Sequence, residues 1–311
     1  MNFFLPTHLK QTTASAYNSK INKWISVMPS DKNTLLYIFS HPYFSIVQIR
    51  HYLKQNNIDT AQTIHSYIKS IISATEHNIN QLTDIDEDNY IEFMTKWKDL
   101  RQVYHEYANS YRLEQKPSPT QSVKGGSSLK FTDLIKTRDE LPDESIDKLL
   151  LGFYTYVPPV RSDYFATQII SFGETPSYPN YIFHNSNKSY LKITDFKTSK
   201  LYKSIEYELP PELHRLLTIS LTNKPRKFLF QNKDANSFSR ARFSDWASKR
   251  LTSIFKKEFT LTFFRHIFVS TLDLNTPPGK LLEISNKMGH SLTQQMLYKW
   301  KEQPNKIAME D

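Results

Sequence analysis

LTFFRHIFVSTLDLNTPPGKLLEISNKMGHSLTQQMLYKW, residues 261–300, decides how the rest of the chain is read. Arg265 stands inside an aromatic-rich helical pattern, a Gly-His-Ser turn follows at Gly289, His290 and Ser291, and Tyr298 comes soon after. Each side chain suits one task on a phosphodiester. A guanidinium presents a planar fork to two phosphate oxygens. An imidazole can donate a hydrogen bond to the same group, and a phenol can attack phosphorus and hold it covalently. Arg265 lies between Phe263, Phe264, Ile267 and Phe268. Burying it without a partner would cost several kcal/mol, so a ligand phosphate or an internal carboxylate is expected beside it.

Working upstream, residues 239–256 and 210–219 read as helices. Residues 180–209, NYIFHNSNKSYLKITDFKTSKLYKSIEYEL, alternate apolar and polar residues and read as strands, with turns at Asn185–Lys188 and Lys197–Lys200. Before them, VPPVRSDYFATQII (157–170) has a helix ending at Pro158-Pro159 and Arg161 entering the next helix. Helices are expected over 144–157 and 130–139. Residues 114–128, EQKPSPTQSVKGGSS, are almost free of apolar residues and read as a linker that holds no packed element. Ahead of it, helices are expected at 13–28 (Thr12 or Thr13 as cap), 60–75 and 87–112, with short apolar pieces at Thr34–Phe39 and Ile46–Leu53. Tyr17, Tyr67, Tyr104 and Tyr107 read as core. The expected fold is mainly α with a small antiparallel β-sheet. Residues 1–113 form a helical domain from about Pro6, 114–128 the linker, and 129–311 a mixed domain.

Composition narrows the function. The 311 residues carry 40 Lys and Arg against 31 Asp and Glu, a formal charge of +9, and such a chain suits a polyanionic partner. With no cysteine, disulfides, thiol catalysis and thiolate zinc sites are excluded. The first residues, MNFFLPTHLKQTT, lack the features of a signal peptide, and no segment approaches the roughly 18 apolar residues of a membrane span. A soluble intracellular protein with no membrane partner is expected. No Gly-rich phosphate loop, zinc spacing or two-metal carboxylate set is present, so no cofactor and no metal is expected.

The 261–300 stretch resembles the C-terminal motif of the tyrosine recombinases, or phage-type integrases: His-x-x-Arg, then Gly-His, then a nucleophilic Tyr. Arg265, Gly289-His290 and Tyr298 match. The sequence departs from the pattern in having Thr262 where the first His stands, and in a gap of eight residues from His290 to Tyr298 where nine is more familiar. His266 follows Arg265 directly, a slot usually not that of the catalytic histidine. PPVRSDY, residues 158–164, is similar to the first-arginine box, especially as found in recombinases of large DNA viruses and their mobile elements. FKTSK, residues 196–200, is similar to the hairpin that carries the family's lysine. The resemblance extends over the whole chain, with a helical core-binding domain before the linker and a catalytic domain after it, the two clamping duplex DNA.

The resemblance implies a site-specific recombinase that breaks and rejoins DNA through a 3′-phosphotyrosyl bond without metal or ATP. Tyr298 is the implied nucleophile. Arg161, Arg265 and His290 are implied to stabilise charge on the phosphate, and Lys197 to protonate the leaving 5′ oxygen. Asp163, Thr262, His266 and Lys200 are candidates for supporting roles, Asp163 orienting Arg161 and His266 standing in for the histidine that Thr262 replaces. The implied partner is double-stranded DNA with specific target sites, bound by a homotetramer, with the segment after Trp300 as a contact in trans. Two other functions fit the same residues: a DNA-binding protein of this fold with impaired catalysis, for which Thr262 argues, and a DNA-relaxing enzyme of the type IB topoisomerase kind.

Overall fold

The computed structural model describes residues 11–78, 82, 84–273 and 275–301, except the side chains of residues 119 and 120. It divides into two compact units between Tyr111 and Arg112.

The first unit is helical: α1 (Gln11–Val27), α2 (Leu35–Ser40), α3 (Pro42–Gln55), α4 (Ala61–His77) and α5 (Glu87–Leu113), whose end passes the division. Thr34 and Thr60 start α2 and α4 by accepting from the amides of Tyr37 and Thr63 (both 3.1 Å), and Pro42 begins α3, where a missing N–H costs nothing. Thr12 and Thr13, expected as caps, lie inside α1, which begins at Gln11. The core forms where the apolar stripes of these helices meet. Trp24 and Trp97 cross edge to face at 5.8 Å, and their indole N–H groups donate to the carbonyls of Tyr67 (3.3 Å) and Phe39 (2.9 Å), so neither ring is buried with an unmet donor. Tyr107, expected in this core, is 68% exposed. The stripe of α5 continues past the residues it can pack on.

The second unit begins with a segment expected to be bare of structure. Residues 114–128 instead carry α6 (Pro119–Val123) and a 3₁₀ turn at Gly126–Ser128. Gly126 is buried so closely that a Cβ would meet Phe259 and Phe263 at 3.2 Å. Then come α7 (Phe131–Glu140), α8 (Ile146–Thr155), β1 (Gln168–Ile170), β2 (Asn180–His184), β3 (Ser189–Ile193), α9 (Ser199–Tyr202), β4 (Ile205–Glu208), α10 (Pro211–Asn223), α11 (Arg240–Phe255), α12 (Leu261–Ser270), α13 (Pro278–Lys287) and α14 (Leu292–Met296). The fold class is α+β, as expected, but the sheet is mixed. Its order is β1-β2-β3-β4, with β1 parallel to β2 and the other two pairings antiparallel. Two further expectations fail. No helix follows Arg161: residues 161–167 form turns that lead into β1. Nor do Lys197–Lys200 form a tight hairpin, since residues 194–204 contain the helical turn α9. The Asn185–Lys188 turn is as expected, closed by the Asn185 amide donating to the Lys188 carbonyl (3.1 Å).

Strand β3 alternates in the way the sequence suggests: Ser189, Leu191 and Ile193 are buried, and Lys192 faces out to pair with Glu206 at 3.1 Å. Every residue of α8 from Lys148 to Thr155 is buried, which makes it the central helix of this unit, packed among α7, α10 and α11. Among the described residues, no helix is long and apolar enough to cross a membrane.

Candidate active site

Arg265 is fully buried on α12. Its Nη1 donates to the carbonyls of Met288 (2.9 Å) and Pro159 (3.3 Å). The first is the C-terminal cap of α13, where the helix dipole favours a cation; the second belongs to the Pro-Pro bend before Arg161. Nε and Nη2 are buried without a hydrogen-bond partner among the described residues. The guanidinium lies over the ring of Tyr298, 4.6 Å from its centroid. Burial lowers its pKa to about 10, so it stays charged at neutral pH. The carboxylate expected as one alternative partner is not hydrogen-bonded to it: its partners are two carbonyls and an aromatic face.

Arg161 is half-buried and reaches the same ring from the loop after α8, with Nη2 donating to Tyr298 Oη over a long 3.4 Å. Its backbone is held at both ends: its amide donates to Asp163 Oδ2 (3.1 Å), and its carbonyl accepts from the hydroxyl of Tyr154 (2.6 Å). Asp163 is buried and ion-paired with Arg240, not with the side chain of Arg161. Its contact with Arg161 is therefore through the main chain.

Gly289 explains why glycine precedes the histidine. It ends α13 at φ +66°, and a Cβ would stand 2.9 Å from Ile205 Cδ1 and 3.1 Å from Phe196. The turn delivers His290 into the interior, 1% exposed. Its Nδ1 lies 3.0 Å from the carbonyl of Ser291 and so carries the proton, while Nε2 is buried without a partner. Burial, then the charges of Arg265 and Arg161, lower its pKa to about 3. Ser291 caps α14 by accepting from Gln294 (3.1 Å).

Tyr298 lies on the turn after α14, half-buried, its ring 5.6 Å from that of His290. Burial pushes the phenols of Tyr154 and Tyr164 well up and that of Tyr207 to about 12. Burial acts on Tyr298 in the same sense, but the guanidiniums of Arg265 and Arg161 outweigh it and hold this phenol below its usual range.

Arg161, Arg265, His290 and Tyr298 thus converge. Lys197 is exposed and, among the described residues, makes no hydrogen bond to any of them; nor does Lys200, which is exposed on α9. Lys197 nevertheless stands between two residues that meet the glycine turn: Phe196 packs on Gly289, and the hydroxyl of Thr198 donates to its carbonyl at 2.5 Å. Thr262 is exposed on the first turn of α12 and has no hydrogen-bond partner among the described residues. His266 is buried beneath Tyr298, with Nδ1 2.9 Å from the Tyr298 carbonyl. The segment after Lys301 lies outside the described residues.

Two positioning residues escaped the sequence reading. Asn180 donates to the carbonyls of Asp163 (2.9 Å) and Asp195 (3.1 Å) and accepts from the amides of Thr194 and Asp195. Arg240 pairs with Asp163 and donates to the Asp195 carbonyl (3.1 Å). Both tie the Arg161 loop to the Lys197 loop. Their partners stand 14 to 77 positions away in the chain, and no local pattern signals that.

No protein-family model and no curated protein matches the sequence. A solved structure does: a lambda integrase dimer bound to a COC′ core site, at 12% identity over 98% of this chain and 94% of that one, with a TM-score of 0.56. The chain shares that fold. A XerA recombinase is also similar, at 12% identity over 94% of this chain and 88% of the other, but its TM-score of 0.38 carries no argument. At such identity the likeness concerns the fold, and the chemistry rests on the residues described above.

Proposed function

We propose that this protein is a tyrosine-type site-specific DNA recombinase, an integrase of a virus or mobile element, acting within the cell on duplex DNA. The observation that carries this reading is the orphaned guanidinium of Arg265 set against the ring of Tyr298, with Arg161 on the same phenol oxygen. Two cations without an acidic ion-pair partner among the described residues form a seat for an anion, and a phenol within it is a nucleophile poised at that anion. Tyr298 Oη attacks the scissile phosphorus as the bond to the 5′ oxygen breaks, giving a 3′-phosphotyrosyl bond. The guanidiniums favour loss of the phenolic proton, which passes to water, and take up charge on the non-bridging oxygens. His290 is neutral in the free protein, so it becomes a donor to phosphate only when it gains a proton on Nε2, and a bound phosphate offsets the cationic field that otherwise opposes this. Lys197 gives a proton to the departing oxygen, from a loop fastened to the His290 turn. A free 5′ hydroxyl of a partner strand reverses the step, so no nucleotide is consumed.

Duplex DNA as the partner is supported by the charge of +9 and by the likeness to an integrase bound to a core site. A homotetramer on two sites, with residues beyond Trp300 in trans, belongs to the same reading. The domain assignment goes with it: 1–113 as core-binding domain, 114–128 as linker and 129–311 as catalytic domain. A second reading, a DNA-binding protein of this fold with impaired cleavage, is favoured by Thr262, whose hydroxyl cannot act as a base near neutral pH.

The test is covalent trapping on DNA from the ends of the encoding element. Wild type should form an adduct that survives EDTA. Tyr298→Phe should bind the same DNA with unchanged affinity and form none. An adduct that persists in Tyr298→Phe moves the nucleophile elsewhere; strand cleavage without an adduct, lost with EDTA and restored by magnesium, indicates a nuclease; neither cleavage nor adduct from wild type favours the second reading.

A further inference from the structure

We propose that His266 is a positioning residue that docks the Tyr298 segment onto α12 of its own chain, an inference that rests on the reading of Tyr298 as the nucleophile. The segment leaves α14 at Met296 and is thereafter stitched to α12 residue by residue. The Tyr298 carbonyl faces His266 Nδ1 at 2.9 Å. A carbonyl can only accept, so Nδ1 carries the proton and the tautomer is fixed. Lys299 Nζ donates to the Leu272 carbonyl, just past the helix end, at 2.9 Å. The Trp300 amide donates to Ser270 Oγ (2.8 Å), whose own hydroxyl donates back to the His266 carbonyl (2.7 Å). The Trp300 ring stacks on the His266 imidazole at 4.4 Å and 10°, and its edge meets Phe263 at 6.1 Å. The Lys301 amide donates to the Gln115 carbonyl (2.8 Å).

His266 touches this segment through its ring edge to the Tyr298 main chain and through its ring face to Trp300. It also packs edge-on to the Tyr298 ring at 4.8 Å. It adjoins Arg265 in sequence and so couples the height of the phenol above the guanidinium to the rotation of α12. Burial keeps the ring neutral, its pKa lowered to about 4, which suits a one-proton donor to a carbonyl and not a proton carrier. This answers the question raised by Thr262: His266 does not replace the missing histidine at the phosphate, because its ring is spent on the backbone that bears the nucleophile.

The proposal separates donor from stack. His266→Phe keeps a flat ring for Trp300 and loses the donor; His266→Asn returns an N–H near the position of Nδ1. Hydrogen exchange on the full chain reads the docking directly. In His266→Phe, amides of 297–301 should exchange about tenfold faster, the factor that one lost hydrogen bond corresponds to, and His266→Asn should recover most of the protection. Exchange in α12 itself reports whether a variant has unfolded. Should His266→Phe unfold, Ser270→Ala supplies the second case, with faster exchange confined to 299–301. Single-turnover adduct formation on pooled duplexes bearing 5′-bridging sulfur should follow the same order, slowed at least about tenfold in His266→Phe and recovered in His266→Asn, at unchanged DNA affinity. Unchanged exchange in His266→Phe, or His266→Asn no better than His266→Phe, overturns the proposal. If wild type forms no adduct while exchange still follows His266, the docking stands and the nucleophile reading falls.

Discussion

The two units bury polarity in different ways. In the first, the buried polar residues among those described are Ser45, Ser70, Thr75 and Asn78, all uncharged. Each is satisfied by a carbonyl within a few residues, such as Ser70 on Tyr67 (2.6 Å) and Asn78 on Ala74 (2.7 Å). The second unit buries charge, of two kinds. Arg138, Lys148 and Asp163 have ionic partners in Asp139 (2.8 Å), Asp143 (2.7 Å) and Arg240. Arg265 and His290 retain unmet nitrogen atoms. A buried donor left unpaired costs about 1–3 kcal/mol, and more when charged. A fold that keeps such groups side by side, against the phenol of Tyr298, carries a cost that a bound anion would remove. Unmet buried atoms also occur at Asn18, Arg50 and Asp59 in the first unit and at Thr167 and Gln295 in the second; what singles out Arg265 and His290 is that both lie against the ring of Tyr298.

Comparing two buried arginines sharpens this. Arg265→Ala and Arg161→Ala should each cost at least about 10²-fold in strand cleavage, as loss of an oxyanion donor does. Arg138→Ala should lower stability by about 1–3 kcal/mol, since it removes a buried charged donor from Thr155 and Asp139, yet leave cleavage per folded molecule unchanged. Single-turnover rates and denaturant melts on the same preparations separate the two. A loss under threefold in either Arg265→Ala or Arg161→Ala removes that residue from the site.

Acid should break the second unit first. His266 and His290 have folded pKa values of about 4 and about 3, below the 6.5 of an unfolded histidine. Between pH 6.5 and those values the unfolded chain binds protons that the folded chain refuses, so stability falls as pH falls through that window. His266 alone contributes on the order of 3 kcal/mol. In the first unit His65 is also lowered by burial but is only half-buried, so its share is smaller. Exchange measured at pH 7 and pH 4.5 should show α12 and α14 losing protection ahead of α1 and α4. Equal loss in both units contradicts the assignment.

A smaller effect is expected from anions. Inorganic phosphate at ten times its Kd should stabilise the second unit by about 1.4 kcal/mol, with chloride of equal ionic strength doing less and Arg265→Ala abolishing the difference. A wild-type shift no larger with phosphate than with chloride argues against an anion seat. The most selective test concerns Lys197. Lys197→Ala should cleave normal DNA slowly and regain its rate on a substrate whose leaving group is a 5′-bridging sulfur, which needs little protonation. Lys200→Ala should match wild type on both, and rescue of Lys200→Ala in place of Lys197→Ala transfers the role.

The sequence made much of this legible because the site residues sit at punctuation. Gly289 is required by its φ and by Phe196 and Ile205 above it; Arg265 interrupts an apolar helix; Arg161 follows a Pro-Pro bend. What stayed hidden depends on distant partners. The parallel β1–β2 pairing joins segments whose alternation looks the same in either direction, and β1 is three residues long. The α9 turn stands in place of a tight turn between β3 and β4, with Phe196 and Thr198 drawn onto Gly289, 91 positions later in the case of Thr198. Tyr107 is exposed while Ala108 beside it is buried, so the covered face of α5 there is not the one its aromatic stripe suggests.

The central claim is that Tyr298 forms the covalent bond to DNA. The direct measurement is to incubate the full chain with nicked duplexes from the ends of the encoding element, trap the adduct, digest it, and locate the nucleotide-bearing residue by mass spectrometry. The account predicts a 3′-phosphotyrosyl linkage on Tyr298, formed with EDTA present. A nucleotide on any other residue, or a 5′ linkage on Tyr298, would contradict it.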